Sequence, residues 1–128
     1  MTVDAFADRL ARVRHRFVST LEGKIDSASA AGPELSDRAP SAAATVIETY
    51  RAIHGIVGIG PTVGFPATGR AAREVEDALR DAYQKQRGLT DEEILALKKR
   101  LQSLRETATG ELQCFFAVDA GRDNGGGG

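Results

Sequence analysis

Leu89-Thr90-Asp91-Glu92-Glu93-Ile94-Leu95-Ala96-Leu97-Lys98-Lys99-Arg100-Leu101 is the stretch that decides the class of fold. Thr90 and Glu93 stand at the spacing of a capping box, in which each side chain satisfies a backbone N–H of the other residue. Leu89 and Ile94 flank them as a hydrophobic staple. From Ile94 the stripe steps by threes and fours, through Leu97, Leu101, Leu104, Ala108 and either Glu111 or Leu112 to Phe115. That is the period of one face of a helix. Glu92, Lys98, Lys99, Arg100 and Arg105 fall on the other face and read as solvated. Cys114 lies near the stripe and is expected to be buried.

The same period recurs upstream. A third helix is predicted from Phe65-Pro66, with proline suited to the first turn, through Ala72, Val75, Leu79 and Ala82 to Gln86, with Gly88 marking its end. A second begins at Ser41 as N-cap and carries Ala43, Val46, Ile47, Tyr50, Ile53 and Ile56. It ends or kinks near Gly60, because Pro61 cannot sit in a helix interior without losing a hydrogen bond. A first covers about residues 2–24, with Thr2 as N-cap and Val3, Phe6, Leu10, Val13, Phe17 and Leu21 on its stripe. His15, between Arg14 and Arg16, reads as solvated. Residues 25–40 lose the pattern among small and polar residues and read as a loop, with room for a short turn at Glu34 to Arg38. Period-two alternation is confined to a weak patch from Cys114 to Val118. The expectation is an all-α, antiparallel up-down four-helix bundle over residues 1–118. Residues 119–128 read as a flexible glycine-rich tail or a linker.

Composition narrows the function. With 17 Lys and Arg against 18 Asp and Glu, the chain lacks the basic excess of a dedicated nucleic-acid binder or a polybasic membrane segment. Its single cysteine, Cys114, rules out an internal disulfide and a multi-cysteine zinc site. No apolar run is long enough to span a bilayer, and Met1 to Ala5 does not open a signal peptide. The chain is expected to be cytoplasmic.

One segment does not behave as ordinary helix: His54-Gly55-Ile56-Val57-Gly58-Ile59-Gly60-Pro61-Thr62-Val63-Gly64-Phe65-Pro66. A glycine inside a helix costs about 1 kcal/mol relative to alanine, so this cluster needs a reason. Gly58 follows His54 by one turn on the same face, where a side chain is expected to crowd the imidazole. With glycine there, a partner can approach the ring.

In these residues the chain resembles the histidine-containing phosphotransfer (HPt) domains of two-component phosphorelays. His54, Ile56, Gly58, Gly60 and Gly64-Phe65 stand in the register of that motif, and Arg70 to Glu76 looks like the family's next helix. Val57 stands where the family often has lysine. The resemblance implies that His54 is the phosphoacceptor, attacking through Nε2 an aspartyl phosphate on a receiver domain. It implies that Gly58 and Gly64 allow backbone approach, and that the Mg²⁺ belongs to the receiver, with no cofactor or metal of the chain's own. The implied partners are a response-regulator receiver domain, a hybrid histidine kinase, or both, docked over the second and third helices. The chain would be a monomeric relay carrier and not an enzyme with its own turnover. Arg51, Arg70 and Arg73 are candidate phosphate or docking contacts in place of the missing lysine, and spacing does not choose among them. Val57 admits two placements, exposed beside His54 or turned inward by a local distortion. Two other functions fit the same residues: a pseudo-HPt domain that binds a receiver without phosphorylation, and a helical scaffolding or dimerisation module whose glycines serve packing.

Overall fold

A computed structural model describes residues 3–126, with side chains described from Asp4 to Val118. All regular structure among them is helical: α1 (Val3–Ala30), α2 (Gly32–Leu35), α3 (Ala42–Ile59), a 3₁₀ turn (Gly60–Val63), α4 (Pro66–Lys85) and α5 (Asp91–Gly126). Thr2, expected to cap the first helix, lies outside the described residues, as do 127 and 128.

The helical stripe explains α1, and it also corrects its length. Phe17, Leu21, Ile25 and Ala28 are all buried, so the three- and four-residue step continues past Lys24. The Ser and Ala residues between them are acceptable on a helix's outer face, and the helix runs to Ala30 where a loop is expected. Pro33 then sits in the first turn of α2, whose four residues bury Leu35. At the other end of α1 the stripe overreaches: Phe6 and Val13, read as core, are 61% and 42% exposed.

α3 begins where expected, although the Ser41 side chain makes no capping bond. It buries Val46, Thr49, Ile53 and Ile56 and gives way at Gly60 to the 3₁₀ turn that accommodates Pro61. Gly64 closes that turn at φ +97°, a left-handed conformation that disfavours any side chain. α4 ends on Gln86, itself left-handed at φ 52°, and not at Gly88. Gly88 has a different task. A Cβ there would come within 2.6 Å of the Asp37 Cα, so its bareness lets the α4–α5 connection press on the α2–α3 connection. The two connections share backbone bonds, Asp37 N–H to Leu89 O at 2.9 Å and Leu89 N–H to Leu35 O at 2.8 Å.

The capping box of α5 forms in both directions. The Thr90 N–H donates to Glu93 Oε1 at 3.0 Å, and the Glu93 N–H donates to Thr90 Oγ1 at 3.2 Å. α5 continues beyond Val118 into the stretch that composition reads as tail, because extending a formed helix costs far less than starting one. Cys114 is exposed, against expectation: it lies two residues, about 200°, from the buried Leu112. α3 packs on α4, α4 on α5, and α1 on both α3 and α5. Phe65 sits among them, its ring 5.2 Å from Phe17 and 5.8 Å from Phe115. No helix among the described residues is long and apolar enough to cross a membrane.

Candidate functional site

His54 follows the fully buried Ile53 on α3 and is therefore turned about 100° out of the core. Its side chain is 65% exposed, yet one ring nitrogen is engaged. Nδ1 lies 2.7 Å from Glu76 Oε2 on α4, the helix packed alongside. Glu76 itself is buried, with a side chain only 7% exposed. A nitrogen facing a carboxylate must carry the proton. In the neutral ring the other nitrogen, Nε2, then holds the lone pair.

A buried carboxylate needs more than one partner, since removing a charge from water is costly unless it is paired and hydrogen-bonded. Arg80, one turn on, supplies the second: its Nη2 donates to Glu76 Oε1 at 3.1 Å, while Nη1 pairs with Asp77 at 2.7 Å. The guanidinium is held charged above its ordinary range, first by the Tyr50 hydroxyl and then by Glu76. Tyr50 also supports the site through its ring. It stacks on Tyr83 with centroids 3.9 Å apart and lies nearly parallel to the His54 ring at 6.0 Å. Imidazole, carboxylate and guanidinium thus form one connected network across α3 and α4. It orients the imidazole, fixes its tautomer and places a negative charge behind Nδ1. Any positive charge that develops on the ring when Nε2 forms a bond is met by that carboxylate.

The other residues nominated by sequence fall into separate groups. Arg51, Arg70 and Arg73 are exposed, and none makes an ion pair among the described residues. Val57 is half-buried and packs against the core while α3 runs unbroken past it, so it matches neither placement in full: it leans inward, but without a local distortion of the helix. The glycines also divide. A Cβ at Gly58 would meet nothing within 4 Å, so a methyl group there would not crowd the imidazole as expected. Gly64 is required by its left-handed turn. Gly60 and Gly69 serve close packing: a Cβ at Gly69 would lie 2.8 Å from the Pro61 ring, and one at Gly60 3.1 Å from the Phe65 carbonyl.

Glu76, Arg80 and the tyrosine stack escape a reading of motifs. Glu76 nonetheless leaves a signal. It stands four residues after Ala72 and three before Leu79, both fully buried, so a charge occupies an inward-facing position. Such a charge demands a partner. Among the described residues no group of three or more His, Cys, Asp or Glu side chains is placed to hold a metal ion. No family model matches the chain, and no curated protein or solved structure matches it.

Proposed function

We propose that the chain is a histidine phosphotransfer domain: His54 accepts a phosphoryl group from a receiver-domain aspartate and passes it on in a phosphorelay. One observation carries this reading. The exposed imidazole of His54 is held through Nδ1 by the buried Glu76 at 2.7 Å, which leaves Nε2 as the free nucleophile. In the transfer step the Nε2 lone pair forms the N–P bond as the P–O bond to the aspartyl carboxylate breaks. The bonding pair leaves with the carboxylate oxygen, and the Nδ1 proton stays in its hydrogen bond to Glu76. The return step is the reverse. The receiver supplies the Mg²⁺ that neutralises the transferring phosphoryl. Such a partner asks of this chain only a presented nucleophile and a surface to dock on, so the carrier has no turnover of its own. The reading brings with it an up-down arrangement of α1, α3, α4 and α5, to which α2 is an addition. It also brings a cytoplasmic, monomeric protein.

The test is intact mass at neutral to alkaline pH, before and after treatment with phosphoramidate, on the wild type and His54→Gln. An acid-labile gain of one phosphoryl group in the wild type alone is the expected result. No gain by a folded wild type would overturn the reading. Receiver binding without phosphorylation would then indicate a pseudo-HPt domain, and concentration-dependent association without receiver binding a scaffold.

A further inference from the structure

Arg9, Arg12, Arg16 and Lys24 line a groove between α1 and α3, and no acidic residue stands among its walls. Three other surface grooves differ in this respect: Glu22 lies in one, Glu111 in another, and Glu34 and Glu48 in a third. Among the described residues none of the four cations makes an ion pair, whereas Arg38, Arg80, Lys85, Arg87 and Arg105 are all paired. Arg9 and Arg12 are three residues apart, and Arg12 and Arg16 four, so their charges repel along one side of α1. In a chain of net charge −1 the groove is a local concentration of positive field.

The shape of the groove narrows what that field can hold. Its volume is about 490 Å³, and small-molecule sites run from about 300 to 1,000 Å³. From Arg9 to Arg16 its three arginines stand along about 10 Å of the α1 axis. Val13 and Ile59, 42% and 41% exposed, give it apolar ground. Gly55 leaves the α3 wall bare, since a Cβ there would meet nothing within 4 Å. A guanidinium presents a planar fork of donors that matches a pair of phosphate oxygens. Three such forks side by side suit an anion whose own charges stand in a row.

We infer that this groove binds a small oligophosphate, of the class of nucleoside di- and triphosphates, with its phosphates on Arg9, Arg12 and Arg16 and its apolar part on Val13 and Ile59. The charges identify the occupant. A monoanion answers one cation and leaves the others repelling. A phosphate chain brings several negative charges within reach of neighbouring arginine side chains at once. Such a ligand relieves the repulsion along α1, so it stabilises the fold as it fills the groove. The inference is independent of the phosphotransfer reading, because His54, Glu76 and Arg80 are not among the walls of the groove.

The experiment is calorimetric titration at low salt without divalent metal, with ATP, tripolyphosphate, citrate and sulfate as probes. It uses the wild type, His54→Gln and the double variant Arg12→Gln/Arg16→Gln, with thermal melts to verify that each variant folds. ATP and tripolyphosphate should bind the wild type and raise its Tm more than citrate or sulfate at equal ionic strength. ATP should bind the tighter of the two, and equal affinity would overturn the contact with Val13 and Ile59. Affinity should persist in His54→Gln, fall by about tenfold or more in the double variant, and weaken with salt. In labelled wild type, ATP should shift the amide signals of Arg9 to Lys24 and Ile59 more than those of α4, a readout that does not depend on the variant. Full affinity in a folded double variant, shifts confined to α4, or a response to ATP no larger than to citrate would overturn the site. Loss of binding in His54→Gln would place the phosphates at the imidazole and overturn it too. Sedimentation of the wild type but not the double variant with phosphoinositide vesicles, without binding of the soluble probes, would overturn a free oligophosphate in favour of a lipid headgroup. Phosphoramidate treatment of the same samples tests His54 separately, so the failure of either reading leaves the other standing.

Discussion

His54 and Glu76 are 22 residues apart in the chain and 2.7 Å apart in space. That contact joins an exposed ring on α3 to a buried carboxylate on α4, and it makes a prediction about the carboxylate alone. Glu76→Gln keeps the shape and an acceptor oxygen but removes the charge that meets the developing imidazolium. Charge-assisted hydrogen bonds contribute about 1.5–3 kcal/mol, so phosphoryl uptake from phosphoramidate should slow by about 10- to 100-fold. Stability should fall by only about 1 kcal/mol, because Arg80 keeps Asp77 as a partner. The His54 ring-nitrogen shifts should show the loss of the single Nδ1–H tautomer. Unchanged uptake would mean the carboxylate only packs.

Two glycines on neighbouring helices should respond in opposite directions to alanine. Gly58→Ala adds a methyl into open space on a helix face and gains helix propensity, so stability should rise by about 0.5–1 kcal/mol. Gly69→Ala drives a methyl to 2.8 Å from Cδ of Pro61, whose ring is fixed to the backbone and cannot swing away. Stability should fall by about 1–3 kcal/mol. Urea unfolding of both variants checks the pair. Destabilisation by Gly58→Ala would place something against that face in the free protein.

Local signals in the sequence carry most of this fold. The Thr90–Glu93 box is seen in both its bonds, and the stripes of α4 and α5 largely match their buried residues, while on α3 Val46, Ile53 and Ile56 are buried but Ala43, Ile47 and Tyr50 are only half-buried. Besides the placement of Cys114 and the crowding expected at Gly58, what failed were inferences of extent. α1 outruns its expected end because Ile25 and Ala28 sustain the stripe across residues with little character of their own. Phe6 and Val13 fit the period and are exposed all the same, since periodicity does not say where a neighbouring helix stops. At the site, His54 is legible because an unusual glycine context surrounds it. Glu76 is legible only as a charge misplaced on an apolar face; Arg80 stands at the i,i+4 spacing of a helical ion pair, but the other partner, His54, comes from a different helix, which no spacing rule can name.

Acid should remove one identifiable contribution at the start of α5. The Arg87 guanidinium, chiefly, together with the Thr90 N–H, holds the Glu93 carboxyl at about 2, below its ordinary 4.5. A carboxyl whose folded value is depressed stabilises the fold above its unfolded value, and this is lost as pH falls through the folded one. Glu93→Gln should therefore lower stability by about 1 kcal/mol at pH 7, a figure that allows for solvent screening of the pair. The gap from the wild type should narrow as pH drops below 4.5 and close near pH 2. Thermal melts at several pH values test this, and a gap that persists at pH 2 would assign the effect to packing.

Val57 is three residues after His54, half-buried and packed against the core beside an unbroken α3. Replacing it with lysine separates its two possible contributions. The four-carbon stem of lysine can cover the apolar atoms that valine covers while its ammonium reaches water, so the fold should tolerate the change. A drop in Tm below about 5 °C is expected, equivalent to about 1 kcal/mol at this chain length. The ammonium would then stand one turn from His54, on the face where a phosphoryl group arrives. Opposite charges about 4 Å apart near a protein surface attract appreciably, so uptake from phosphoramidate should rise severalfold and the gain should fade with salt. A much larger fall in Tm would show that the valine's packing is indispensable. A stable variant with no change in rate would show that nothing anionic approaches His54 along that side of α3.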